Sequence, residues 1–199
     1  MTLSFAISPC PNDTFIYGAI ANQLIESPHE FEFSYHDIET LNKMAQTGKT
    51  DLIKMSFYNY FHVKDNYRLL PCGGALGRGV GPLLITKNIN KFQGNNSIRI
   101  AIPGKNTTAN FLLNFYNPEY TELIEFPFDK IEQAVLNGDV EAGVIIHENR
   151  FTYADKGLQL LVDLRSHWES VTSSPIPLGC LAVRQDIAYE IEEDIIKLV

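Results

Sequence analysis

The sequence predicts an α/β protein in two lobes, each a mostly parallel or mixed sheet flanked by helices. Short apolar runs of strand character alternate with capped helical segments along all 199 residues. Two apolar segments entered through Gly and Pro, Gly81–Thr86 and Pro177–Val183, read as a pair of crossings between lobes. The length suits one large domain or two modest lobes. The expected division is 1–84 with 178–199 as the first lobe and 85–177 as the second. A single flavodoxin-like sheet is the structural alternative.

Taken in order, Leu3–Ile7 reads as a buried strand, followed by the turn-forming Ser8-Pro9-Cys10-Pro11-Asn12-Asp13. A helix is predicted over Thr14–Leu24, with Asp13 or Asn12 as its cap. Phe31–Tyr35 alternates as a half-buried strand does. Glu39–Gln46 reads as a helix stopped at Gly48. Leu52–Met55 reads as a strand, with Ser56 opening a helical segment that carries Phe57, Tyr60, Phe61 and Lys64. Strands follow at Leu83–Thr86, Ile98–Ile102, Glu122–Phe126, Ala142–Ile146 and Leu158–Asp163. Helices are predicted over Ala109–Tyr116 and over Phe128–Asn137, the latter ended by Gly138. Pro177–Val183 leads into a final helix.

Composition narrows the function classes. Hydrophobic residues at 45% and charged residues at 20% fit a globular protein, not a disordered one. A net charge of −8 argues against a general footprint for nucleic acid or anionic membrane. Met1–Phe15 has neither a basic n-region nor a long apolar core, and no apolar run reaches transmembrane length, so a cytoplasmic protein is expected. Cys10, Cys72 and Cys180 are widely spaced and form no CxxC pair, so reduced thiols are expected and no metal site.

The functional signal is a repeated placement. Strands end in Ser8 with Asn12 and Asp13, in Ser56, in Thr107 with Thr108, and in His147. In open α/β sheets ligands bind beyond the carboxyl ends of strands. Helix starts there favour a carboxylate or phosphate, and the hydroxyls of Ser56, Thr107 and Thr108 could add donors without charge. The same Ser and Thr residues also suit plain capping. A small anionic organic substrate is therefore expected. His147 follows the apolar Gly143-Val144-Ile145-Ile146 and can titrate near neutrality as a general base. Glu148 and Arg150 stand beside it, and either could orient it. His29, His36, His62 and His167 lie in polar or helical settings. The run Gly73–Gly81 lacks the spacing of a phosphate loop, and Arg78 within it could reach an anion or pair with a carboxylate. Phe57, Tyr58, Tyr60 and Phe61 read as core or as pocket lining.

Several segments together carry a family resemblance. They are Ser8-Pro9-Cys10-Pro11-Asn12-Asp13-Thr14-Phe15, Asp37-Ile38-Glu39-Thr40-Leu41-Asn42, the run Gly73–Pro82, Thr107-Thr108-Ala109, and Ile145-Ile146-His147-Glu148-Asn149-Arg150-Phe151-Thr152-Tyr153. In this order they resemble the 1,4-dihydroxy-6-naphthoate synthase family, up to about Val183. The resemblance implies a two-lobed, periplasmic-binding-protein-like (type II) fold with a ligand cleft between the lobes, and no metal or organic cofactor. It implies a carbon–carbon lyase of the futalosine route to menaquinone, cleaving cyclic dehypoxanthine futalosine to 1,4-dihydroxy-6-naphthoate. By the same resemblance His147 is the proton acceptor, and Lys54, Met55, Ser56, Thr107, Thr108 and Asn42 contact substrate. Asn12 and Arg78 are added from their expected place in the cleft. Family members continue into further C-terminal helices, whereas this chain stops at Asp194–Val199 within an apparent helix, so a truncated first lobe is expected. A chorismate dehydratase of the same pathway and a non-catalytic solute-binding protein are the alternatives.

Overall fold

The structure, a computed structural model, describes residues 1–92 and 97–199. It divides into two compact units, residues 1–75 with 179–199 and residues 76–178. The first unit opens with β1 (Thr2–Ile7), α1 (Pro11–Ala21), β2 (Glu30–Tyr35), α2 (Ile38–Thr47), β3 (Leu52–Ser56), α3 (Phe57–Val63) and β4 (Tyr67–Leu69). The chain passes into the second unit along β5 (Ala75–Gly77). That unit holds β6 (Leu83–Thr86), β7 (Ile100–Ile102), α4 (Thr108–Tyr116), β8 (Leu123–Glu125), α5 (Ile131–Asn137), β9 (Ala142–Ile145), β10 (Gln159–Asp163) and α6 (Leu164–Thr172). Strand β11 (Ile176–Arg184) leads back, and α7 (Tyr189–Leu198) closes the first unit.

Each unit carries one mixed sheet. The first has the order β2-β1-β3-β11-β4, with β5 pairing on β11. Strands β1, β2 and β3 run parallel, and β11 runs antiparallel to β3. The second sheet has the order β10-β6-β9-β7-β8. There β8, β7 and β9 are parallel and β6 is antiparallel to both β9 and β10. Leu83–Thr86, expected as the outgoing crossing, lies wholly inside this second sheet, paired on both edges and buried throughout.

Strand alternation builds two apolar layers in each unit. In the first, Leu3, Phe5, Ile7 and Leu52 pack with Tyr17, Leu181 and Val183 on one face. Ala6, Ile53 and Met55 pack with Leu41, Ala45 and Ala182 on the other. In the second unit Leu84, Ile100, Ile102 and Val144 meet Leu112, Leu113 and Leu164, while Ile85, Ala101 and Ile145 meet Ile131 and Val135. Each of the fully buried Leu, Ile, Val, Phe and Met side chains contributes about 1.5–3 kcal/mol, and the alanines less. Gly143 is required on β9, since a Cβ there would stand 2.5 Å from Ile131 Cγ2 and push α5 off the sheet.

Local chemistry sets the helix ends. Asp37 caps α2, accepting from the N–H groups of Glu39 at 3.0 Å and Thr40 at 3.2 Å, and Gly48 ends it at φ 66°. The cap expected for the first helix is corrected. Cys10 takes the N-cap position, Pro11 follows with its fixed φ, and Asp13 lies inside the first turn. The helix expected over Phe128–Asn137 is a 3-10 turn, Phe128–Lys130, followed by α5. Helix α6 was not anticipated. It is polar and buries only Leu164, but Asp163 caps it through the Ser166 N–H at 3.0 Å.

Candidate active site

Because β1, β2 and β3 are parallel, their carboxyl ends lie on one edge of the first sheet. Ser8 follows β1, Ser56 ends β3, and Gly179 of β11 pairs with Ser56. Behind this edge is a buried polar set. Lys54 Nζ lies 3.1 Å from Asp13 Oδ1 and donates to the Gly73 carbonyl at 2.6 Å. Tyr17 OH donates to the same carbonyl at 2.8 Å, and the Ser8 N–H donates to Asp13 Oδ2 at 3.1 Å. Gly73 sits at φ 65°, and a Cβ on it would meet Tyr17 OH at 2.4 Å, so glycine alone fits. Burial, then the Asp13 charge, raises the Tyr17 phenol well above its usual range, so it remains a neutral donor.

Asn42 and Ser56 form the second part of this edge. Asn42 Nδ2 donates to Ser56 Oγ at 3.0 Å and the Ser56 N–H donates to Asn42 Oδ1 at 2.9 Å. Asn59 supports them by donating to the Asn42 carbonyl at 3.2 Å. Met55, also expected at the site, has its side chain in the core, where Asn59 Nδ2 lies 3.8 Å from its sulfur. Phe57 and Tyr60 pack on the same core, while Phe61 is exposed. Asn12 is exposed on the first turn of α1. Arg78 is exposed on the loop after β5 and enters no ion pair among the described residues.

In the second sheet the parallel strands β8, β7 and β9 also direct their carboxyl ends to one edge. Phe128 follows β8, the segment Gly104–Thr108 follows β7, and His147 follows β9. The Phe128 and His147 rings meet edge to face at 5.1 Å between centroids. Thr107 caps α4: its Oγ1 accepts the Asn110 N–H at 3.2 Å and donates to the Gly104 carbonyl at 2.7 Å. Thr108 Oγ1 donates to the Leu178 carbonyl at 2.8 Å. Both hydroxyl protons are thus committed within the protein. Of the donors expected here, the hydroxyls point to protein carbonyls, while the N–H groups and partial positive charge at the start of α4 belong to a helix end of the kind that suits an anion.

His147 is partly exposed and enters a 3-10 turn, His147–Phe151, at φ 56°. A side chain with a Cβ rarely adopts that backbone conformation, and such outliers gather at functional sites. Histidine, like Asn and Asp, adopts it more often than other residues with a Cβ, but without Gly the sequence gives only a weak signal for it. The remaining histidines are placed elsewhere. His29 lies 3.3 Å from Asp194, His62 packs on Tyr58, and His167 packs on Phe115 and Tyr116. Among the described residues no group of three or more His, Cys, Asp or Glu could hold a metal ion. No helix among them is long and apolar enough to cross a membrane.

Known proteins resemble the chain along nearly its whole length. The family model described as menaquinone biosynthesis matches residues 3–199. The 1,4-dihydroxy-6-naphthoate synthase of Thermus thermophilus is 45% identical over 185 residues, covering 93% of this chain and 67% of that protein. A crystal structure of a protein from Archaeoglobus fulgidus aligns with a TM-score of 0.93 at 36% identity, covering 99% of this chain and 73% of the other. The substrate-binding protein of an amino acid ABC transporter aligns with a TM-score of 0.66 at 13% identity, covering 100% and 91%. That last likeness shows the fold alone. The two mixed sheets flanked by helices are periplasmic-binding-protein-like, of type II.

Proposed function

The chain belongs to the menaquinone-biosynthesis family, and from that premise we propose that it is a cytoplasmic 1,4-dihydroxy-6-naphthoate synthase. On this proposal it cleaves a carbon–carbon bond of cyclic dehypoxanthine futalosine, without metal or organic cofactor, and releases 1,4-dihydroxy-6-naphthoate and a small sugar-derived fragment. One observation carries it. An imidazole and the N-terminus of α4 leave neighbouring parallel strands at the same sheet edge. The helix start at Thr107 and Thr108 anchors the substrate carboxylate. His147 takes a proton from the substrate, the ring carbon–carbon bond breaks, and aromatisation of the product drives release. A positioned general base of this kind contributes about 10²–10⁴-fold in rate. The edge-to-face contact with Phe128 limits the ring orientations open to His147.

In the first unit we assign substrate binding to Lys54, Ser56 and Asn42. The Lys54 ammonium holds Asp13 and the Gly73 carbonyl, and an ammonium carries three donors. Asn12 and Arg78 are exposed, which suits contact with a charged substrate.

The test incubates the purified protein separately with cyclic dehypoxanthine futalosine and with chorismate, following naphthoate absorbance in the first and loss of chorismate in the second. Naphthoate from the first substrate alone is expected. Turnover of chorismate, or of neither, refutes the assignment. In the same assay His147→Asn should bind the substrate yet fail to turn it over, and retained turnover removes His147 from the base role.

A further inference from the structure

We propose that Arg150 is a positioning residue for His147, holding the turn that presents the imidazole by clamping it to the neighbouring strands. The catalytic part rests on the reading of His147 as the base. His147 opens its turn at φ 56°, a left-handed backbone state uncommon for residues with a Cβ and favoured where neighbouring contacts support it. Arg150 lies in the same turn. Its Nη1 donates to the Gly81 carbonyl, and its Nη2 lies 3.6 Å from Asp163 Oδ2. Gly81 precedes β6, and Asp163 ends β10. Leu83 of β6 is in register with both Ile145 of β9 and Asp163 of β10, so one guanidinium spans three adjacent strands at this edge.

Both anchors are themselves fixed. Asp163 accepts the Ser166 N–H at 3.0 Å and pairs with Arg165 at 3.0 Å. Gly81 packs against Arg165, and a Cβ there would stand 2.6 Å from Arg165 Cβ. The Arg150 and Asp163 side chains are only 14% and 19% exposed, so water competes weakly for their contact. Glu148, the other charged neighbour of His147, is exposed. A planar fork reaches two acceptors at once, which a lysine ammonium on a flexible stem does not reproduce.

The test compares wild type, Arg150→Ala, Arg150→Lys and the control Glu148→Gln in the full chain. Steady-state kinetics on cyclic dehypoxanthine futalosine are read beside the His147 backbone amide and imidazole resonances in the substrate-free protein. For both Arg150 variants kcat should fall about tenfold or more with KM changed less than about twofold, since the loss is of orientation rather than of substrate contact. The His147 resonances should move and broaden, and added guanidinium should restore part of the rate in Arg150→Ala. Glu148→Gln, a change at the exposed neighbour, should leave the His147 resonances sharp, and any shift should come without broadening. Arg150→Lys keeps the charge beside Asp163, so it preserves the test if Arg150→Ala does not fold. A raised KM at unchanged kcat would make Arg150 a substrate anchor and overturn the clamp, as would unmoved His147 resonances. The resonances involve no turnover. If His147→Asn proves active, the base reading fails, and the resonances alone still decide whether Arg150 holds the turn.

Discussion

Lys54 and Asp13 form an ion pair of 3.1 Å in which the side chains are only 5% and 4% exposed. The carboxylate also accepts the Ser8 N–H, and the ammonium also holds the Gly73 carbonyl. The pair therefore ties the carboxyl ends of β1 and β3 to the loop before β5. Removing one partner strands the other charge in the interior. Asp13→Asn or Lys54→Met should each destabilise the protein by about 3–5 kcal/mol, while an apolar double replacement recovers much of that loss. Urea unfolding of the two single variants and the double variant checks this; equal losses in all three would count against a coupled pair.

Asn42 and Ser56 exchange two hydrogen bonds with both residues buried. Either alanine variant leaves an unsatisfied buried group, so the two losses should not add. A double-mutant cycle of Asn42→Ala and Ser56→Ala should give a coupling of about 1 kcal/mol or more. Strict additivity would mean that the residues act independently.

How far the sequence carries depends on the range of the interaction. The strands at Leu52–Met55 and Ala142–Ile146 are legible because apolar runs bounded by polar residues, Asp51 and Ser56 or Glu141 and His147, mark buried strands without knowledge of their partners. The pairing of Asp13 with Lys54 is not legible, since no local spacing rule joins residues brought together by parallel strand register. The short β4 and β5 escape notice for a related reason, because three residues carry no measurable period and exist only against β11. Helix α6 reads as too polar, and its signal lay in the cap Asp163 rather than in an apolar stripe. At the candidate site the residue types Ser56, Thr107, Thr108 and His147 are visible as strand-end polar groups. The commitment of both threonine hydroxyls inside the protein depends on the Gly104 and Leu178 carbonyls, which sequence does not place.

Arg68 fastens the last helix. Its guanidinium donates to Glu192 Oε2 at 2.8 and 2.6 Å and to the carbonyls of Gln185 at 2.6 Å and Ile187 at 2.8 Å, and it lies 4.3 Å from the Tyr189 ring centroid. Arg68→Ala should cost about 2 kcal/mol, with the loss concentrated in α7. Amide hydrogen exchange should therefore accelerate over Tyr189–Leu198 before it does so in β1 or β3. Uniform acceleration would show that the helix does not unfasten as a unit.

Cys180 gives the fold an alkaline dependence. Burial in the core under β11 pushes its thiol up from 9.0 to about 12, with the Lys54 charge opposing the rise. The folded pKa is thus raised above the unfolded one. From pH 9 upward the unfolded chain releases a proton that the folded chain retains. Stability is fully present below pH 9 and is lost towards pH 12, with a limiting slope of about 1.4 kcal/mol per pH unit for one proton. Cys180→Ala removes this share. The stability gap between wild type and variant should be constant below pH 9 and should narrow above it. Tyr17, raised by burial and by Asp13, leaves the variant a residual alkaline slope. Thiol labelling at pH 8 gives an independent check, because the thiolate is the reactive form. Cys180 should resist labelling in the folded protein and react after denaturation. Parallel stability curves for wild type and Cys180→Ala through pH 9–12 would show that this thiol ionises no later in the folded chain than in the unfolded one.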